Sequence, residues 1–402
     1  MQSTEQPVII ISDTLEGGAA AATNRLVDAL TQRPSLPFER WHFTAQHRAT
    51  SALERSLDAR PKRPAGERLI KNISRALADR LRRQRHRRAF LRAVETTRPA
   101  LLNLHCLHTC GIDHSVLDEL PTNLPMLWTL HDCWPFRPVA FEWENSTTGE
   151  MEAVCAEQPP SVGAMRRQAF FHHRPGIILV APSRWMATQA SAYVPSSVRI
   201  EHVPYGLDIK IFHPQPQLTA QNALGLASGK TWLGYGATWA SSRKGIDLLP
   251  AALGALDCRS LGLLVWGEDP QLTWPQGLTV NFIGRVSGVP AIRQVLAACD
   301  LLLCPSRADN LPNAVLESLA CGTPVIGSNA GGIPDMVRPS ETGWTFASGQ
   351  VTALQASLTE ALASRALWPA YRERCRQVAV TEYSEEVQAE RYHRLFSELR
   401  RE

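Results

Sequence analysis

Short apolar runs alternate with longer amphipathic stretches along most of the chain, the pattern of an α/β protein. In the first half, runs of Ile, Leu and Val predict strands at 8–12, 100–105, 126–131, 176–181 and 198–203. A second series follows at 231–236, 262–266, 279–283, 301–304 and 324–327. Several are nearly continuous in branched apolar residues, as expected of parallel strands covered on both faces. Segments 20–30, 291–298 and 314–320 read as helices between them. The last segment, 382–402, is a charged amphipathic helix with Tyr392, Leu395, Phe396 and Leu399 on its apolar side. Pro and Gly punctuation at 204–216 marks the boundary. The expected organisation is a first domain over 1–205 and a second over 206–381, with 382–402 packing back on the first. Two doubly wound, Rossmann-like domains then face a central cleft, and a ligand belongs at the C-terminal ends of the strands.

Composition narrows the class. Of 402 residues, 44% are hydrophobic and 20% charged, which is globular rather than disordered. No apolar run approaches the length of a membrane span. The first residues lack the basic start of a secretory signal, and the nine cysteines form no CxxC pair. Reduced thiols and a cytoplasmic location are expected. Cys106 and Cys110 lie close to His105 and His108, but no second ligand pair follows at zinc-site spacing, so no metal is expected.

The net charge of +4 hides an asymmetry: residues 60–92 carry 13 Lys or Arg against two acids, a local +11. Leu69, Ile73, Leu77 and Leu81 recur every four residues there, opposite Arg75, Arg82, Arg85 and Arg88. Such a helix suits an anionic surface, either membrane headgroups or a phosphate-bearing substrate, or simply a solvated helix whose leucines pack on the core, and nucleic acid is disfavoured because no stacking motif accompanies it.

Candidate chemistry sits at predicted strand ends. Gly17-Gly18 follows the first strand and opens a helix, where backbone amides can approach an anion. The turn is not GxGxxG and no ribose-binding acid follows a second strand, which argues against a dinucleotide site. Thr129-Leu130-His131-Asp132 places an imidazole and a carboxylate at the rim of the first sheet. Arg243-Lys244-Gly245 puts two cations after the first strand of the second domain, placed to neutralise a diphosphate. The densest cluster is Arg307 to Glu317. Asp309 precedes a helix whose first turn holds Pro312, and Glu317 lies inside it. The amides near Leu311 and Asn313 can take phosphate or hydroxyl oxygens, and the two acids can accept hydroxyl protons. A further turn, Gly331-Gly332-Ile333-Pro334-Asp335, follows the next strand.

In this order, these segments together with Asn103-Leu104-His105 and Val203-Pro204-Tyr205-Gly206-Leu207-Asp208 resemble the family 4 retaining glycosyltransferases of the GT-B fold, most closely those of bacterial surface-polysaccharide synthesis. The resemblance implies transfer of a sugar from a nucleotide diphosphate sugar, as co-substrate, to a saccharide or lipid-linked saccharide, without cofactor or metal. Catalytic roles fall to His131, Asp309, Glu317 and Lys244. Donor binding falls to Gly17, Gly18, Arg243, Lys244, Asp309, Asn310, Leu311, Asn313 and Glu317, and acceptor binding to His105 and Asp132. Glu317 matches the acid that holds the ribose. Asp309 is one methylene shorter than the family's usual glutamate. Thr238 stands where the family has an arginine, and Tyr205 where it has a hinge asparagine. The other readings are a GT-B sugar-nucleotide epimerase or hydrolase and a non-catalytic nucleotide-sugar-binding protein. The basic segment is expected to rest on the cytoplasmic leaflet of the plasma membrane.

Overall fold

The computed structural model describes residues 6–12, 17–33, 37–43, 54–57, 75–107, 112–144, 150–154, 160–237 and 241–400. Nine strands belong to the first half: β1 Val8–Ser12, β2 Phe38–His42, β3 Glu54–Ser56, β4 Leu101–Leu104, β5 Met126–Thr129, β6 Phe141–Glu144, β7 Met151–Val154, β8 Ile178–Ala181 and β9 Arg199–His202. Seven form a parallel sheet in the order β3-β2-β1-β4-β5-β8-β9, while β6 and β7 make an antiparallel hairpin beside it. The second half adds β10 Thr231–Ala237, β11 Leu261–Gly267, β12 Thr279–Phe282, β13 Leu301–Cys304, β14 Val325–Ser328 and β15 Gly343–Phe346. These form a second parallel sheet in the order β12-β11-β10-β13-β14-β15.

In each sheet the order reverses beside the first strand, at β1/β4 and at β10/β13. That reversal sends successive crossovers to opposite faces and leaves a crevice at the strand C-terminal ends. Ile9 and Ile11 enter one core layer of the first sheet, and Val8 and Ile10 the other, as a strand buried on both faces requires.

All ten strands expected from apolar runs are present, each within a few residues of its expected ends. The pattern misses β2, β3, β15 and the β6–β7 hairpin. In β2 the reason is charge: Arg40 is buried, donates to Asn24 Oδ1 and faces Glu54 across to β3, so a strand interrupted by a cation is still internal.

The chain leaves the first domain at Leu207 and returns at Ser384. The two crossings touch: Leu207 N donates to Tyr383 O (2.9 Å) and Glu385 N donates to Leu207 O (3.0 Å). A Cβ at Gly206 would lie 2.7 Å from the Glu385 Cα, so the close approach of the two crossings requires glycine there. Helix Glu385–Leu399 then buries Tyr392, Leu395, Phe396 and Leu399 with Val8, Ile10 and Leu26 of the first domain.

The basic helix spans Arg75–Thr97. Residues 58–74 lie outside the described residues, so Leu69, Ile73 and much of the basic run cannot be placed, and the Leu77 side chain is likewise outside them. The expected apolar face is not the packing face. Leu81 is exposed, whereas His86, Phe90, Ala93 and Val94 are buried. Their spacing of four, three and one fixes the stripe that meets the core. Arg80, Arg82, Arg83, Arg85, Arg87, Arg88 and Arg92 are all exposed. Among the described residues, no helix is long and apolar enough to cross a membrane.

Candidate functional site

Lys244 ends the short turn Ser242–Lys244 that follows β10, and Asp309 lies in the loop between β13 and helix Asn313–Ala320. The Lys244 ammonium donates to Asp309 Oδ2 at 2.5 Å, and Arg243 Nη1 stands 3.8 Å from the same oxygen. Burial opposes the charge on Asp309, yet Lys244 and then Arg243 outweigh it and hold the carboxyl below the usual aspartate range. Arg243 also donates to Ala308 O (2.8 Å) and lies over the Phe141 ring of the hairpin at 5.0 Å. Arg307 clamps the turn, donating to Ser242 O (2.6 Å) and to both oxygens of Asp247 (2.8 and 2.7 Å). Gly245 has φ +70°, and a Cβ there would fall 1.9 Å from Pro305 O, so the glycine after Arg243 and Lys244 is a steric demand.

Helix Asn313–Ala320 supplies the second acid. Asn313 and Ala314 have no intrahelical acceptor for their amides, and Glu317 lies one turn further along. Arg25, on helix Gly18–Thr31 of the first domain, donates Nη2 to Glu317 Oε1 and Nη1 to Asn313 Oδ1 (3.1 Å). Burial pushes the Glu317 carboxyl above the usual range, with Arg25 opposing. Asn313 Nδ2 donates to Gly18 O (3.0 Å), which seats the glycine turn against this helix. Gly17 has φ +94°, a backbone that favours glycine.

The first domain closes the other wall. Asn310 Nδ2 donates to Leu130 O (2.8 Å) and His131 O (3.1 Å), while its Oδ1 accepts from Ser183 Oγ (2.7 Å). Arg184 N donates to Asp335 Oδ2 at 2.7 Å. His131 Nδ1 is 2.8 Å from the Tyr205 hydroxyl and His131 Nε2 is 2.8 Å from His105 Nδ1. Asp132 Oδ1 accepts from Trp134 N (3.0 Å), tying off its own turn.

The structure therefore gathers Gly18, Lys244, Arg243, Asp309, Asn313 and Glu317 around one cleft, but corrects three expectations, at His105, Asn310 and Asp132. His105 is 2% exposed beneath His131, so it does not line an acceptor surface. The Asn310 side chain is spent on the interdomain contact. The Leu311 side chain is buried in the core of the second domain, and the group expected to meet a ligand there is the backbone amide. Asp132 is buried and turned onto its own backbone. Thr238 lies outside the described residues, as do Cys110, His108 and Cys155. Among the described residues, no three His, Cys, Asp or Glu side chains are placed to hold a metal ion. The residues missed in the sequence are Arg25 and Ser183, while Arg307 opened the densest cluster without being given a role. Arg25 had a signal: it is a charge beside the buried stripe Ala22, Leu26 and Ala29.

Against known proteins, residues 230–364 match the family described as Glycosyl transferases group 1. Over full length, the chain superposes on sucrose-phosphate synthase from Thermosynechococcus elongatus with a TM-score of 0.75 at 20% identity, covering 98% of this chain and 99% of that one. The chain has the GT-B fold. Anabaena HepE in complex with UDP-glucose is a second GT-B neighbour, with a TM-score of 0.70 at 15% identity over 98% of this chain and all of that one (100%). In sequence, N-acetyl-alpha-D-glucosaminyl L-malate synthase of Bacillus anthracis is 21% identical over 233 residues, 56% of this chain and 60% of the relative. The chain spans 60% to 37% of the length of the first curated relatives it matches. Both walls of the GT-B cleft described above thus belong to a chain of which residues 230–364 match the glycosyl transferases group 1 family.

Proposed function

We propose that this protein is a retaining glycosyltransferase that uses a nucleoside diphosphate sugar and needs no metal. The observation that carries the reading is the pairing of Lys244 with Asp309, eight residues before Glu317, inside the segment that matches the glycosyltransferase group 1 family. Breaking the anomeric C–O bond leaves an oxocarbenium-like sugar and a diphosphate, so donors aimed at the phosphates lower the barrier. Lys244, Arg243 and the amides of Asn313 and Ala314 would supply that charge. Asp309 would accept hydroxyls of the transferred sugar and Glu317 those of the ribose. The departing phosphate takes the acceptor's proton on the same face, so no enzyme nucleophile is used, and His131 helps to orient the sugar.

The acceptor in this reading is a saccharide or lipid-linked saccharide of cell-surface polysaccharide synthesis, met on the cytoplasmic leaflet through the exposed arginines of helix Arg75–Thr97. A neighbour solved with UDP-glucose supports the donor class. The relative whose name specifies L-malate supports a small hydroxyl-bearing acceptor as a starting probe.

The experiment is release of nucleoside diphosphate from a panel of sugar donors in the presence of EDTA, with the anomeric configuration of the product read by proton NMR. Retention without added metal supports the reading. Inverted product, or sugar interconversion with no acceptor, overturns it.

A further inference from the structure

Under the cleft wall lies a chain of buried polar groups of which the proposed reaction uses only His131. Thr23, His105, His131 and Tyr205 are linked in sequence, at 3.1, 2.8 and 2.8 Å. They come from four places: helix Gly18–Thr31, the end of β4, the end of β5 and the crossing into the second domain. His131 and Tyr205 stack with ring centroids 5.4 Å apart.

The protons in this chain can be assigned. The Thr23 hydroxyl donates to Ala19 O one turn back, at 2.9 Å. Its oxygen therefore presents a lone pair to His105 Nδ1, which must carry a proton. His105 Nε2 is buried with no partner among the described residues, and a bare acceptor is tolerated there better than an orphaned N–H. The His105 Nδ1 proton also faces His131 Nε2, which must then be a bare acceptor. His131 keeps its own proton on Nδ1, where the Tyr205 oxygen accepts it. A second proton on His131 Nε2 would meet the His105 N–H head-on.

We infer that His105 is a positioning residue that locks His131 as the neutral Nδ1–H tautomer and bars it from acting as a base. Tyr205, standing where the resembled family has an asparagine, is the other half of the lock. The charged groups facing this cluster are Arg40 from β2, Asp132 beside His131 and Asp309 across the cleft; Cys106 and Tyr392 are its other titratable neighbours. Burial, then His131, then Arg40 hold His105 well below the usual imidazole range, in keeping with a neutral ring. Burial likewise holds the Tyr205 phenol in its neutral form.

The inference deepens the proposed reaction, because it explains why the acceptor's proton goes to phosphate, but its main test needs no substrate. The full chain labelled with [15N]histidine is followed by long-range 1H–15N correlation from pH 5.5 to 8.5. The expected result is a His131 with protonated Nδ1 and bare Nε2 that does not titrate over this range. In His105→Phe, Nε2 loses its blocking proton, and His131 titrates near the ordinary imidazole value of about 6.5. Thr23→Val keeps His105 but removes the lone pair that selects its tautomer, so His131 becomes a mixture of tautomers. This second variant decides the matter where His105→Phe does not fold. An Nε2–H tautomer in the wild type, or the same tautomer and titration in wild type and both variants, overturns the inference. Once a donor is identified, kcat of the wild type is flat between pH 6 and 8, and His105→Phe acquires a limb near the imidazole pKa. Because the tautomer is read on the free protein, failure of the glycosyltransferase reading leaves this result standing, and the reverse also holds.

Discussion

Arg25 and Glu317, on helices from opposite domains, form an ion pair across the cleft, with the guanidinium also bound to Asn313. The acid expected to take ribose hydroxyls is thus already held by a cation from the facing wall. Together with the Asn310–Ser183 and Arg184–Asp335 contacts, this pair fixes the closed arrangement of the two domains.

Removing that cation should open the protein. In Arg25→Ala, Glu317 keeps its burial and loses its counter-charge. Charge-assisted bonds of this kind contribute about 2 kcal/mol. The expected outcome is a lower melting temperature and a larger radius of gyration in small-angle scattering without ligand. An unchanged radius would show that the remaining contacts close the cleft by themselves.

The two acids should respond to pH with opposite sign. Asp309 is held below its usual range by Lys244 and Arg243 against burial, so its unfolded form binds protons first as pH falls. Its contribution is present above about pH 3.9 and is lost as pH falls through the folded value. Glu317 is raised by burial, so above about pH 4.3 stability falls as pH rises through its folded value. Melting curves from pH 3 to 7 check both. The deficit of Asp309→Asn relative to wild type should shrink toward pH 3, and Glu317→Gln should gain on wild type as pH rises from 4 to 7.

Lys244 should matter for phosphate more than for folding. Its ammonium is partly exposed where it pairs with Asp309, and in the proposed reaction it turns from that carboxylate to the incoming diphosphate. Lys244→Met is expected to weaken nucleoside diphosphate binding about tenfold or more by calorimetry, the loss of roughly 1.5–3 kcal/mol of charge-assisted hydrogen bonding. Equal affinity would place the phosphates elsewhere.

The exposed arginines of helix Arg75–Thr97 give a prediction for membranes. Basic residues near an anionic surface contribute about 1 kcal/mol each. Flotation with vesicles containing phosphatidylglycerol should carry the protein upward, and changing Arg83, Arg85 and Arg88 to Gln should abolish this. Equal flotation with neutral vesicles would reject a role for charge.

The fold was legible wherever a strand is buried on both faces, because continuous Ile, Leu and Val runs have few other uses. It was not legible in β2, where Arg40 is internal only because Asn24 and Glu54 meet it, nor in β15 at a sheet edge. Within the site, Lys244, Asp309 and Glu317 stood out through order and spacing. Asn310, His105 and Asp132 were misread because their side chains turn toward protein partners that are distant in sequence or hidden in a turn. Arg25 is the clearest case: its partner is on the other domain, and periodicity within one helix carries no information about that.

The central claim is a donor site for a nucleoside diphosphate sugar that needs no metal. A thermal-shift screen of nucleoside diphosphates and their sugars, with and without magnesium, tests it most directly. A ligand at a hundred times its dissociation constant adds about 2.7 kcal/mol to the folded state. The account predicts that one base stabilises the wild type equally with and without magnesium, and that Lys244→Met loses the shift. No shift with any base, or a shift only with magnesium, would contradict it.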